Sequence, residues 1–165
     1  MKVLVLGCGE MGSSAVKDLY YHTSFKNIIV ATRKKEKADW LISTLHGKRA
    51  KVQGREIDVN DKKSLITLMK NSDVVINCVG PNYMYEVLIA EAAIDAKVNL
   101  IDINDDYETT FKMLNLDEKA RDVGILIVLG LGASPGINNI FAKAATDQLD
   151  AIEEIHKREQ KREEQ

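Results

Sequence analysis

Three glycines near the amino terminus have the spacing of a phosphate-binding loop. Gly7, Gly9 and Gly12 form the pattern G-x-G-x-x-G between a predicted strand and a predicted helix. The first glycine permits a tight turn, the second lets the backbone approach a pyrophosphate, and the third lets the helix pack close to the strand. Because free N–H groups at a helix start attract negative charge, we expect this loop to bind a dinucleotide.

The end of the second predicted strand bears on the choice between NAD and NADP. A carboxylate that binds the ribose hydroxyls of NAD usually lies about 20 residues after the glycines. Here Thr32 holds that position, and Arg33 and Lys34 follow it. A hydroxyl and two cations suit a 2′-phosphate, which predicts NADP as the cofactor and makes NAD less favoured. The alternative is a solvated basic loop at the start of a helix.

Two further loops follow the third and fourth predicted strands. Asp58 closes the third strand, where it can meet the edge of the adenine or serve as a turn or cap residue. Val79, Gly80 and Pro81 follow the fourth strand, in the place of a loop beneath the nicotinamide ribose. Each loop can also be a simple turn.

The last two loops follow the fifth and sixth predicted strands. The segment DINDDYE at 102–108 is rich in carboxylates. Ser134 is a candidate N-cap, Pro135 a candidate first helical residue, and Gly136 follows them. Although each loop alone can be a turn or cap, parallel strands bring all of them to the one edge of the sheet where ligands bind.

Short apolar runs alternate with helical stretches along the chain, and this alternation predicts the fold. The predicted strands cover 2–7, 27–33, 50–59, 73–80, 98–103 and 125–130. The predicted helices between them cover 12–22, 37–45, 61–71, 84–96 and 107–124. Strands that are apolar on both faces indicate a parallel sheet covered on both sides. We therefore predict an α/β Rossmann fold of three layers, with a doubly wound parallel sheet in the order 3-2-1-4-5-6.

Composition excludes several classes of protein. The chain has 165 residues, of which 45% are hydrophobic and 29% charged, and a formal net charge of −2. This charge gives no general attraction to nucleic acid or acidic membranes, and no apolar run approaches the ~20 residues that span a bilayer. We expect a cytoplasmic protein. Cys8 and Cys78 lack the spacing of a metal site or redox pair, which predicts free thiols and no metal.

We assign residues 1–150 to one dinucleotide-binding domain and consider residues 151–165 separately. This tail, AIEEIHKREQKREEQ, is dense in charge. Ile152 and Ile155 continue a helical spacing, which predicts a charged terminal helix that frays. The alternative is a short strand, AIEEIH, that begins something absent from this sequence.

Three segments together resemble the amino-terminal coenzyme domain of the saccharopine dehydrogenase family. They are VLGCGEMG, DVVINCVGPNYMYEVLIAEAAIDAKVNLIDINDDYE and LDEKARDVGILIVLGLGASPGINN, and the resemblance runs from Met1 to about Leu149. It implies an NADP-dependent oxidoreductase that acts on a C–N bond of an amino acid or imino-acid adduct. Saccharopine-forming members resemble Leu-Asp-Pro-Gly where this chain has Ala133-Ser134-Pro135-Gly136, which argues against saccharopine as the substrate.

The resemblance also implies roles for individual residues. Glu10 and Met11 join the glycines in the pyrophosphate loop, and Val59 joins Asp58 at the adenine edge. Thr32 and Arg33 match the adenosine-phosphate site. The loops on the nicotinamide side match at Val79, Gly80, Pro81, Pro135 and Gly136.

Family members look like two-part enzymes in which a β-rich substrate and dimerisation domain follows the coenzyme domain. That second domain is absent from this sequence, so a small amino-acid substrate would need a further domain or a separate partner chain. The alternative is a non-catalytic module that senses a dinucleotide.

Overall fold

The strands of this protein form one parallel sheet. In the computed structural model, which describes residues 1–47 and 49–156, they are β1 (Lys2–Leu6), β2 (Asn27–Thr32), β3 (Lys51–Glu56), β4 (Val74–Asn77), β5 (Asn99–Asp102) and β6 (Ile127–Val128). The sheet order is β3-β2-β1-β4-β5-β6, and every neighbouring pair is parallel. The predicted α/β Rossmann fold and its strand order are therefore confirmed.

Helices connect the strands and cover both faces of the sheet. They are α1 (Glu10–His22), α2 (Lys35–Ser43), α3 (Lys62–Met69), α4 (Asn82–Ala96), α5 (Tyr107–Leu114), α6 (Asp117–Val123) and α7 (Ile137–Thr146). The single helical stretch predicted over 107–124 is two helices, since α5 ends with Asn115 as its C-cap. The third and sixth strands are shorter than their predicted ranges of 50–59 and 125–130.

Alternate residues of β1 enter two hydrophobic clusters, as the period of two in a strand requires. Val3 and Val5 pack with residues of α1, β2 and α2, whereas Leu4 and Leu6 pack with residues of α3, α4 and β5. All four side chains are fully buried, and each contributes about 1.5–3 kcal/mol through removal from water. The strand is therefore held from both sides of the sheet.

The strand register aligns the carboxyl ends of the central strands. Leu6, near the end of β1, pairs with Ala31 on one side and with Asn77 on the other. Asn77 pairs in turn with Asp102, the last residue of β5. The loops that leave these strands consequently begin at a common edge of the sheet.

The last helix begins later than the sequence indicated. Its N-cap is Gly136 and its first residue is Ile137, so the prediction of Ser134 as N-cap and Pro135 as first residue is wrong. The reason is a closed loop before the helix: Gly132 N–H donates to the carbonyl of Pro135 (3.1 Å), and Ile137 N–H donates to that of Gly132 (2.9 Å). Ser134 and Pro135 lie within this loop.

The end of the described chain lacks the predicted terminal helix. Residues 151–156 form neither a helix nor a strand, so neither of the two alternatives for AIEEIH is observed, and 157–165 lie outside the described residues. The physical reason is weak packing: Ile152 and Ile155 border a groove beside α7 but are still 48% and 59% exposed. A short helix that buries so little apolar surface is marginal in water.

Candidate dinucleotide-binding site

A cleft of about 260 Å³ lies at the carboxyl edge of the sheet, between the loops that follow β1, β2, β3 and β4. It brings together residues that are far apart in the sequence and that sequence patterns had singled out. These are Gly7, Gly9, Thr32, Arg33, Asp58, Val59, Val79 and Gly80. The convergence of the predicted loops on one site is therefore observed for the first four strands.

The three glycines of the first loop have different environments. Gly7 has a φ of +92°, and a Cβ placed on it would lie 2.5 Å from the carbonyl oxygen of Cys78. A Cβ on Gly12 would lie 2.2 Å from the carbonyl oxygen of Gly7. Both glycines are thus required by the fold. A Cβ placed on Gly9, by contrast, would have no other atom within 4 Å.

The open space at Gly9 fits a ligand that approaches the backbone. Its φ of −84° and ψ of −162° are accessible to any residue, so the backbone itself does not require glycine there. Gly9 is also the N-cap of α1, and no side chain caps that helix. The first N–H groups of the helix are therefore left to water or to an anion, which is the arrangement that binds phosphate.

The cationic side of the cleft differs in one residue from the sequence prediction. Thr32, at the end of β2, is half-buried, and Arg33 is exposed beside it. Lys34 does not line the cleft, but Lys37 in the first turn of α2 does. In the described part of the chain neither Arg33 nor Lys37 forms an ion pair, whereas Lys35 pairs with Asp39.

Lys37 was not predicted from the sequence, because Glu36 separates it from the basic run Arg33-Lys34-Lys35. The signal was its spacing: Lys37 follows Arg33 by four residues, and α2 begins at Lys35. A side chain one turn into the helix after β2 can return to the edge of the strand.

Asp58 acts as a turn residue and also lies at the cleft, where contact with an adenine stays a prediction. Its Oδ1 accepts hydrogen bonds from the backbone N–H and the side-chain amide of Asn60, both at 2.9 Å, so it stabilises a turn. It also lines the cleft, next to Val59 and Asn60. Asn60 was not recognised in the sequence, where it looked like part of an ordinary turn.

The wall formed by the loop after β4 is fixed by a buried amide. Val79 N–H donates to Oδ1 of Asn77 (3.1 Å), and Val79, Gly80 and Tyr85 line the cleft. Other predicted residues do not line it, although they lie in the first turn of α1 or in neighbouring loops: Glu10, Met11, Gly12, Lys34, Pro81, Pro135 and Gly136. Glu10 lines an adjacent groove with Trp40.

Both cysteines lie in the cleft as free thiols, as predicted. Burial, and then the charge of Asp102, raises the pKa of Cys78 to about 11. Cys78 is therefore a protonated thiol at neutral pH, which makes it a poor nucleophile. Within residues 1–47 and 49–156 no group of His, Cys, Asp and Glu has the arrangement of a metal site.

The fold and the cleft together define a Rossmann-type dinucleotide-binding domain. Residues 3–128 match the family model described as the saccharopine dehydrogenase NADP binding domain. The chain therefore belongs to this family of NADP-binding domains, as the resemblance in the sequence indicated.

Curated relatives are similar over nearly the whole chain but are much longer. Carboxynorspermidine synthase of Vibrio cholerae is 28% identical over 176 aligned residues, which cover 93% of this chain and 42% of the relative. The NADP(+), L-glutamate-forming saccharopine dehydrogenase of Schizosaccharomyces pombe is 27% identical, with 94% and 31% covered. The chain thus spans less than half the length of either relative.

Solved structures show the same fold. Apo saccharopine dehydrogenase (L-Glu forming) from Saccharomyces cerevisiae superposes with a TM-score of 0.74 at 24% identity, covering 89% of this chain and 31% of that one. Citrobacter triphenylmethane reductase complexed with NADP(H) gives 0.60 at 19% identity, covering 90% and 55%. Among the helices described here, none combines the length and apolar character needed to cross a membrane.

Proposed function

We propose that this chain is the coenzyme-binding part of an NADP-dependent oxidoreductase of the saccharopine dehydrogenase type, acting on a C–N bond of an amino acid or imino-acid adduct. The observation that carries the proposal is the cleft in which the glycine loop, Thr32 and Arg33, and the β4 loop meet. Both named relatives above are longer proteins of this family, one a carboxynorspermidine synthase and one a saccharopine dehydrogenase.

The residues present suit NADP part by part. The backbone around Gly9 would hold the pyrophosphate, since only there is the loop open to a ligand. Thr32 and Arg33, with Lys37 in addition, would bind the 2′-phosphate, because a hydroxyl and two unpaired cations complement a dianion. When bound, the cofactor supplies or accepts a hydride; the protein's part is to bind and orient it.

The other walls would contact the two ends of the dinucleotide. Asp58 and Val59 would meet the adenine, and Val79 and Gly80 the nicotinamide ribose. The roles of Glu10, Met11, Lys34, Pro81, Pro135 and Gly136 stay predictions, as does the cytoplasmic location. Pro135 and Gly136 lie in the closed loop before α7. In the proposed complex this loop would contact the nicotinamide on the side that faces the substrate.

The substrate groups would come from further polypeptide that covers α7, in the same chain or in a partner. Helix α7 has no buried residue, and Ile140 and Phe141 are 63% and 67% exposed. An apolar helix face of this kind marks an interaction surface. Hydride transfer needs both reactants held in a near-attack geometry, which this part of the chain supplies for the cofactor only.

Gly9→Ala tests the pyrophosphate site. We expect calorimetry to show severely weakened NADPH binding, because the new methyl would occupy the space of the phosphate, with no loss of thermal stability, because it clashes with nothing in the protein. Ser14→Ala, on an exposed position of α1, is the matched control and should bind as the parent does. Equal affinity of the Gly9→Ala variant and the parent would refute the phosphate cradle.

Thr32→Asp tests the choice of cofactor. One or two charge-assisted hydrogen bonds to the 2′-phosphate, together contributing about 1.5–4 kcal/mol, predict that NADPH binds roughly ten- to a thousandfold more tightly than NADH. The preference should shrink as salt rises, and Thr32→Asp should reverse it, because a carboxylate attracts the ribose hydroxyls and repels the phosphate. Equal binding of NADPH and NADH by the parent would contradict the assignment.

A further inference from the structure

A cluster of buried polar side chains lies at the carboxyl ends of β4 and β5, behind the cleft. Asn77, Glu86, Asp102 and Asn104 are each no more than 2% exposed. None of the four lines the cleft itself. Because buried polar groups cost free energy unless they are paired, such a cluster needs a physical explanation.

Hydrogen bonds connect this cluster to the wall of the cleft. Asp102 accepts from the side-chain amide of Asn77 (2.7 Å) and from the backbone N–H of Asn104 (2.8 Å). Asn77 accepts in turn from the backbone N–H of Val79 (3.1 Å), and Val79 lines the cleft. One carboxylate is therefore connected through a single amide to the loop proposed to contact the cofactor.

Glu86 is the unusual member of the cluster. It lies in α4 and is 1% exposed, yet neither carboxyl oxygen has a hydrogen-bond partner of good geometry in the described part of the chain. Burial, followed by the negative charge of Asp102, raises its pKa to about 8, and burial also raises the pKa of Asp102.

The groups that face Glu86 are acidic or neutral. Asp102 approaches from β5, Asp106 from the start of α5, and the neutral amide of Asn104 from the loop between them. No cation acts on Glu86 among the described residues. Two like charges cannot both be ionised at low cost in such a site, so one proton stays on the pair near neutral pH.

We infer that Glu86, Asp102 and Asn77 form a positioning network, in which the proton held by the two carboxyl groups keeps the loop at 78–81 in the shape that binds the dinucleotide. This inference rests on the proposed function of the cleft. When the proton leaves, repulsion between Glu86 and Asp102 displaces Asp102, and with it the amide of Asn77 that holds Val79. The affinity for NADPH then falls.

The test is the pH dependence of NADPH binding from about pH 7 to about pH 9, a range above the pKa of about 6 of the 2′-phosphate. The affinity of the parent should fall by up to about tenfold, since about nine-tenths of a group is ionised one unit above its pKa. Glu86→Gln mimics the protonated side chain and should give a flat profile. Glu91→Gln, at a half-buried position of the same helix, is the control and should follow the parent.

The outcomes separate this inference from the proposed function. If the parent does not bind NADPH at about pH 7, the proposed function fails. If it binds, but the parent and Glu86→Gln have the same pH profile, the positioning network is overturned; a merely structural role would change affinity equally at every pH. Should Glu86→Gln not fold, carbon-13 NMR of the Glu carboxyls in the parent replaces it: a carboxyl titrating near pH 8 supports the inference, and none above about pH 6 overturns it.

Discussion

The chain up to β6 and the segment at 129–156 after it both contain large apolar side chains, but the two regions bury them to different extents. Helix α4, in the first region, has seven buried residues. Helix α7, in the second, has none, and its Ile137, Ile140 and Phe141 are all more than half exposed. The apolar character of a helix therefore indicates that burial would stabilise it, but not whether or by what it is covered. For α4 the cover is the sheet together with α3 and α5; for α7 a cover is absent from the described residues.

A matched pair of substitutions gives the largest expected difference between the two regions. Leu100→Ala, at a fully buried position of β5, should lower the free energy of unfolding by about 2–5 kcal/mol through lost burial and a cavity. Leu149→Ala, where Leu149 is 60% exposed, should change it by less than about 0.5 kcal/mol. Urea denaturation measures both. Similar losses for the two variants would show that the terminal segment packs on the domain in solution.

The same division separates what the sequence could predict from what it could not. Strand order, the glycine loop and the Thr32 edge depend on local period and short connections, so they could be predicted. The exposed end of AIEEIH could not, because helical spacing does not say whether a packing partner exists. For Glu86 the signal in the sequence is its place as one of two carboxylates in the largely apolar run MYEVLIAEAA.

Stability should depend on pH through carboxyl groups of the first region. Glu86 has a folded-state pKa of about 8 against an ordinary value of 4.5, so between these values the unfolded chain loses a proton that the folded chain keeps. The free energy of unfolding should therefore fall as pH rises from about 4.5 to about 8, and level off above it. Asp61 and Asp106 have pKa values lowered from the ordinary 3.8 by hydrogen bonds. Their contribution to the free energy of unfolding has the opposite sign of slope and changes only below about pH 3.8.

Glu86→Gln isolates this contribution. The amide has no proton to retain, so the variant should be more stable than the parent at neutral pH and should have a flatter profile from pH 5 to pH 8 in urea denaturation. Asp102, whose pKa is also raised by burial, should leave a residual slope of the same sign. A parent whose stability does not change across this range would show that Glu86 is ionised in the folded state.

The smallest expected effect is on cofactor affinity. It compares Lys→Ala substitutions at two positions of the first region and one position of the second. Lys37 lines the cleft, Lys34 lies three residues before it without lining it, and Lys143 lies on α7, paired with Asp147. An exposed charge contributes at most about 1 kcal/mol, so Lys37→Ala should weaken NADPH binding by roughly two- to fivefold and NADH binding not at all. Lys34→Ala and Lys143→Ala should leave both affinities unchanged.

Calorimetry at low salt suits this measurement, since screening would reduce the difference further. Equal losses for Lys34→Ala and Lys37→Ala would mean that the cofactor responds to the general positive charge after β2, whereas a loss confined to Lys37→Ala would identify a specific contact made from the first turn of α2.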